Sequence, residues 1–161
     1  MISLHSRWQN RKLPVPGKKE LRKFAHAAAA AAGLPVDPAW DLNLLFVNDR
    51  SMARYNAELV GHEGTTDVIT FSYFDSGEDY LPGDTMIELI INPDAAVREG
   101  ARRPGGYSYE MALYIVHGLL HSAGEDDLSP APRRRMRRRE KECLEILEKE
   151  FDFNTLFPET K

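Results

Sequence analysis

Two histidines four residues apart open the stretch His117-Gly118-Leu119-Leu120-His121-Ser122-Ala123-Gly124-Glu125-Asp126-Asp127. On a helix this spacing puts both imidazoles on one face, a turn apart, where they can share one ion. Gly124 can take the left-handed conformation that ends a helix, so the chain can turn back and present Asp127 as a third ligand. A His-His-Asp set with an open fourth position is the arrangement in which zinc activates water rather than merely holding a fold. The residue after the first histidine, the general-base glutamate of zinc peptidases, is here Gly118, which disfavours ordinary peptidase chemistry. An isolated His-x-x-x-His is most often a pair of core histidines; the helix-ending glycine and the acidic cluster after it favour the ion.

A second feature follows directly. Arg133, Arg134, Arg135, Arg137, Arg138 and Arg139 occupy six of seven consecutive positions just beyond the ligands. A phosphate backbone held there would pass close to the ion. Pairs such as Arg138 with Glu142, or Arg139 with Glu140, would neutralise part of the run, as on any solvated helix face. Six arginines without an interleaved acid still exceed what helix solubility requires, and the run and the hydrolytic site together favour a phosphate-bearing partner. No glycine-rich phosphate loop, Walker lysine motif or G-x-S-x-G elbow is present, so no nucleotide cofactor is expected. Cys143, on an otherwise apolar helix face, reads as packing rather than as a nucleophile.

These residues need a scaffold. A chain of 161 residues fits a single domain, 1–161, able to bury about two thirds of its unfolded surface without disulfide staples. One cysteine excludes an intramolecular disulfide and suits a reducing compartment. The N-terminus lacks the apolar run of a signal peptide and no segment is long enough to cross a bilayer, so a cytoplasmic location without a membrane partner is expected. The net charge of -4 conceals the basic run, because acids crowd 75–88, 125–127 and 140–150.

In chain order, residues 1–8 read as a strand with Ile2, Leu4 and Ser6 on one side. Residues 18–32 read as a helix stopped by Gly33 and Pro35. Residues 41–48 form a largely buried strand, after which Asn48-Asp49 cap a short helix closed by Gly61 or Gly64, with His62 in the following loop. Residues 65–74, rich in β-branched and aromatic side chains, make the strongest strand. A Ser/Gly/Asp hairpin loop in 75–84 joins it to a strand over 86–91, and Asn92-Pro93 opens a helix to Gly100. Ser108 is expected to cap a central helix over 109–123, apolar almost all round and therefore buried, with Glu110, Tyr114, His117 and His121 on one face. A last helix runs from Ser129-Pro130 to about Phe151 with Met136, Cys143, Leu144 and Leu147 inward, and the tail from Asp152 has few anchors. The order implies an α+β (mixed α/β) fold, a small mixed sheet packed by about five helices, with the metal site on the central buried helix.

With these pieces in place, the sequence resembles the YbeY family of zinc-dependent bacterial endoribonucleases that act in ribosomal RNA maturation. The family pattern is His-Gly-x-Leu-His-Leu-x-Gly-x-Asp-His. His117-Gly118-Leu119-Leu120-His121 and Gly124 match it, Asp126 stands at its aspartate, Asp127 replaces its third histidine and Ser122 its leucine. Thr66-Asp67-Val68-Ile69-Thr70-Phe71 is similar to the family's Thr-Asp-Val-Leu-Ser-Phe strand, preceded by Tyr55-Asn56 for its Leu-Asn. Ile87-Glu88-Leu89-Ile90-Ile91-Asn92-Pro93 stands, more loosely, where the family has a Gly-Asp-aliphatic strand.

The resemblance implies a zincin-like fold, one Zn2+ per chain on His117, His121 and Asp127, cleavage of single-stranded RNA, and ribosomal RNA with a ribosomal subunit as partners. Glu125 or Asp126 would sit behind the ligands. Aspartate as third ligand adds negative charge, which makes bound water less acidic than under three histidines. The family's arginine shortly before the Thr-Asp strand falls at Val60, leaving His62 or an arginine of 133–139 to replace it as a catalytic group. The rival readings are a non-catalytic ribosome-assembly factor with a structural ion, and a peptidase using Glu110 as base.

Overall fold

The computed structural model describes residues 1–74 and 79–160. β1 (Ser3–Trp8), α1 (Lys18–Ala31) and β2 (Asp41–Phe46) form a β-α-β unit, followed by α2 (Asp49–Tyr55), a π-helical turn Asn56–Val60, and β3 (Val68–Ser72). β4 (Thr85–Ile91), α3 (Pro93–Gly100), α4 (Gly106–Ser122), α5 (Pro130–Glu148) and the short α6 (Phe153–Leu156) complete the chain. The strand order is β1-β2-β4-β3, with β1–β2 and β2–β4 parallel and β3–β4 antiparallel. The α+β fold is that anticipated, with six helices among the described residues in place of about five.

Strand alternation sorts the side chains. Leu42, Leu44 and Phe46 of β2 and Ile87, Leu89 and Ile91 of β4 are buried in one core with α1 and α4. The opposite face carries a smaller cluster, Val47, Met52, Ile69 and Ile90, under α2. α4 is buried on nearly every side, so its polar residues are held in a rigid mount. No described helix is long and apolar enough to cross a membrane.

Several boundaries differ from expectation. α4 starts at Gly106, and Ser108 is not its cap: the hydroxyl donates to the Phe157 carbonyl at 2.5 Å. That bond belongs to a tail that is anchored rather than loose, since Phe153, Leu156 and Phe157 are buried and Phe24 meets three aromatic rings, those of Phe151, Phe153 and Phe157, edge-on. Aromatic residues spaced too irregularly to show a period nonetheless fill one hollow. β3 is shorter than 65–74 because Asn92 Nδ2 donates to Thr65 Oγ1 and to the Thr66 carbonyl, holding those residues off the ladder. The antiparallel β3–β4 pair suits the expected hairpin, whose Ser/Gly/Asp tip at 75–78 lies outside the described residues.

Candidate metal centre

The site is built at the C-terminal end of α4. Gly124, at φ 104°, turns the chain back, and Glu125 N–H donates to the Leu120 carbonyl at 3.0 Å to close the helix end. Asp127 is thereby returned to the histidine face. Its Oδ2 lies 3.6 Å from Nε2 of His117 and 3.6 Å from Nε2 of His121. Ligands about 2.0–2.1 Å from a tetrahedral ion stand roughly 3.4 Å apart, close to these two distances, and all three ligand atoms lie within 4.8 Å of one another.

The other ring nitrogens are already engaged. His121 Nδ1 is 3.0 Å from the Glu125 carbonyl, which can only accept, so Nδ1 carries the proton and Nε2 offers its lone pair. His117 Nδ1 is 3.1 Å from Glu140 Oε2 of α5, with the same consequence. Burial works against a charged His117, yet the hydrogen bond and charge of Glu140, with Asp67 and Asp127 nearby, hold its pKa above the ordinary value. A field of carboxylates that favours a cation at this imidazole also suits a divalent ion, and the donor set fits zinc.

Gly118 allows a close approach of α4 to the sheet. A Cβ there would meet Leu89 Cδ2 at 2.7 Å and Thr70 Oγ1 at 3.1 Å, so α4 lies against β4 and β3 and a side chain would have to displace the buried Leu89. The position that carries the glutamate of a peptidase helix is here a glycine facing the sheet. Glu110, its suggested substitute, is 1% exposed and bound to Arg103 at 3.1 Å. Burial raises the Glu110 pKa while Arg103 opposes that shift.

The remaining expected residues divide. Glu125 serves His121 through its main-chain carbonyl, while its carboxylate faces Arg135 at 3.6 Å. Asp126 instead accepts from Leu128 N–H and closes its own turn. Arg133 and Arg137, one turn apart, line a cavity of about 560 Å³ with His117, Asp127 and Glu140. Arg133 Nε also donates to the Asp127 carbonyl at 3.2 Å. Arg139 is turned elsewhere, to the Ala31 carbonyl and Glu142. Arg134 and Arg138 are exposed and make no ion pair among the described residues, so the suggested Arg138–Glu142 pair is replaced by Arg139–Glu142. At 100° per residue, a continuous run cannot share one face. On the other side of the ligands, His62 and Val60 line a second cavity, about 440 Å³, together with His117 and His121.

Glu140 escaped the sequence reading except as a partner for Arg139. Its signal was positional: it sits one turn after buried Met136 and one before buried Leu144, a carboxylate on the apolar face of α5.

Residues 6–148 match the family model described as Endoribonuclease YbeY. A protein named Endoribonuclease YbeY from Geobacter metallireducens is 31% identical over 146 residues, covering 88% of this chain and 93% of that protein. Another of that name, from Rhodopirellula baltica, is 32% identical over 127 residues, and the match spans 78% of this chain and 63% of the relative. In fold, the chain is similar to a Thermotoga maritima protein known from a solution structure, with a TM-score of 0.56, 18% identity, and coverage of 92% and 93% of the two chains.

Proposed function

The chain belongs to the endoribonuclease YbeY family, and on that premise we propose that it cleaves single-stranded RNA in ribosomal RNA maturation, in the cytoplasm and on a ribosomal subunit, with one zinc ion held by His117, His121 and Asp127. The observation that supports this most directly is the convergence of two Nε2 atoms and one carboxylate oxygen, each histidine already bonded through Nδ1. Zinc bound there supplies a Lewis acid for a phosphoryl oxygen and acidifies water.

The chain's own residues do the rest. Glu140 and the Glu125 carbonyl keep the imidazoles in register. Arg133, tethered to the Asp127 carbonyl, and Arg137 present guanidinium groups to an anionic backbone entering the cavity beside the ligands. His62, which lines the opposite cavity with Val60, the family arginine position, is the group we assign to meet the cleaved strand there.

The test is cleavage of a labelled single-stranded RNA by the unsubstituted protein and by His121→Ala, purified side by side, with zinc content measured in both. The expected result is about one zinc per chain and cleavage in the unsubstituted protein alone. Equal cleavage in both is contaminating nuclease, and zinc without cleavage supports the assembly-factor reading instead.

A further inference from the structure

The sheet has a second concave surface that the metal centre does not use. α2 covers only one end of the outer face, and beyond it lies a groove of about 980 Å³ lined by β1, β2, β3 and β4. Phe71 of β3 and Tyr73, which follows the strand's last residue and still donates its N–H to the Met86 carbonyl, line it, and Tyr73 is 48% exposed. Arg7 of β1 and Lys18 and Arg22 of α1 line its other side. All three are exposed and meet no carboxylate among the described residues. Glu88, between these walls, accepts from Asn43 Nδ2 at 3.3 Å and from Tyr73 hydroxyl at 3.2 Å.

We propose that this groove binds single-stranded RNA flanking the cleaved position, with the phosphates along Arg7, Lys18 and Arg22 and the bases directed onto Phe71, Tyr73 and Glu88. The inference rests on the RNA reading of the metal centre. Charge separation across the groove sets the orientation: cations attract the backbone on one wall, whereas the Glu88 carboxylate repels phosphate and accepts from base amino groups. Alternate residues on a strand are about 7 Å apart, roughly twice the 3.4 Å rise of a duplex strand. Rings at that separation receive unstacked bases and not a helix. A path to the metal also exists: in the π-helical turn, exposed Leu59 lines the groove while its neighbour Val60 lines the cavity shared with His117 and His121. β3 is an edge strand, so a single strand can cross beside it without meeting another.

The test is fluorescence anisotropy with a 4-nucleotide and a 14-nucleotide single-stranded RNA, every protein carrying His121→Ala so that no turnover intrudes. Arg7→Ala/Arg22→Ala and, separately, Phe71→Leu, which keeps apolar bulk but removes the ring, should each weaken the 14-mer about tenfold. The double variant should also reduce the salt slope of 14-mer binding by about 1.4, the value for two lost single-strand phosphate contacts. Binding of the 4-mer should not change. Unchanged 14-mer affinity in both variants overturns the groove proposal while leaving the metal-centre reading intact, as does a concentration-dependent dimer that Phe71→Leu abolishes, which would make this face a contact between copies. Failure of the 14-mer to bind without a groove substitution also overturns the groove proposal, while the metal-centre reading is decided separately by the cleavage and zinc-content test.

Discussion

Glu140 Oε2 stands 3.1 Å from Nδ1 of His117, across the packing boundary between α5 and α4. A carboxylate from a later helix thus determines which nitrogen of His117 is free to meet an ion. The two helices must dock correctly before the site exists.

Removing that carboxylate should loosen the ion without dismantling the fold. Glu140→Ala is expected to weaken zinc binding by about 10- to 100-fold, and Glu140→Gln, which keeps a hydrogen-bonding group, by less. Competition against a chromogenic chelator measures both; equal affinities in all three proteins would show that Glu140 does not orient His117.

Gly118→Ala probes the approach of α4 to the sheet. Its Cβ would lie 2.7 Å from Leu89 Cδ2, within a packed layer. A loss of about 1–3 kcal/mol in unfolding free energy is expected from such overpacking. Denaturant titration reads it, and an unchanged midpoint would mean that Leu89 yields freely.

Asp49 links pH to the segment beside the site. Bidentate hydrogen bonding from Arg98 lowers its pKa, opposed by burial and aided by Asn92 and Thr65. A depressed carboxylate contributes stability above its unfolded pKa, 3.8, and that contribution is lost as pH falls through the folded value. Asp49→Asn should therefore be less stable than the unsubstituted protein at pH 7, and the gap should narrow below pH 3.8. A gap that stays constant down to the acid transition would remove Asp49 from the account.

The C-terminal tail is a structural element in this protein. Phe157→Ala should cost about 3–5 kcal/mol, as for a large aromatic removed from a core, because Phe157 is 1% exposed and packs edge-on against Phe24. A melting temperature equal to that of the unsubstituted chain would contradict this.

Local periodicity determined a great deal. The His117–His121 pair, the turn at Gly124 and the return of Asp127 follow from helix spacing and from the conformational freedom of glycine, and each concerns neighbours within about three turns. The buried character of α4 and the alternation in β2 were equally readable, because both are properties of one element. Ser108, by contrast, looked like a cap because caps are local, and the Phe157 carbonyl 49 residues away took its hydroxyl instead.

Tertiary structure decided the rest. The run 133–139 shows that cations are concentrated, but only the docking of α5 on α4 and α1 sends Arg133 and Arg137 to the cavity beside His117 and Asp127, Arg135 to Glu125 and Arg139 to Ala31. The same docking selects Glu140 from the acids of α5 and brings it to His117. Spacing along a helix states which residues share a face; which partner that face meets depends on contacts distant in sequence, and these form only when the core packs.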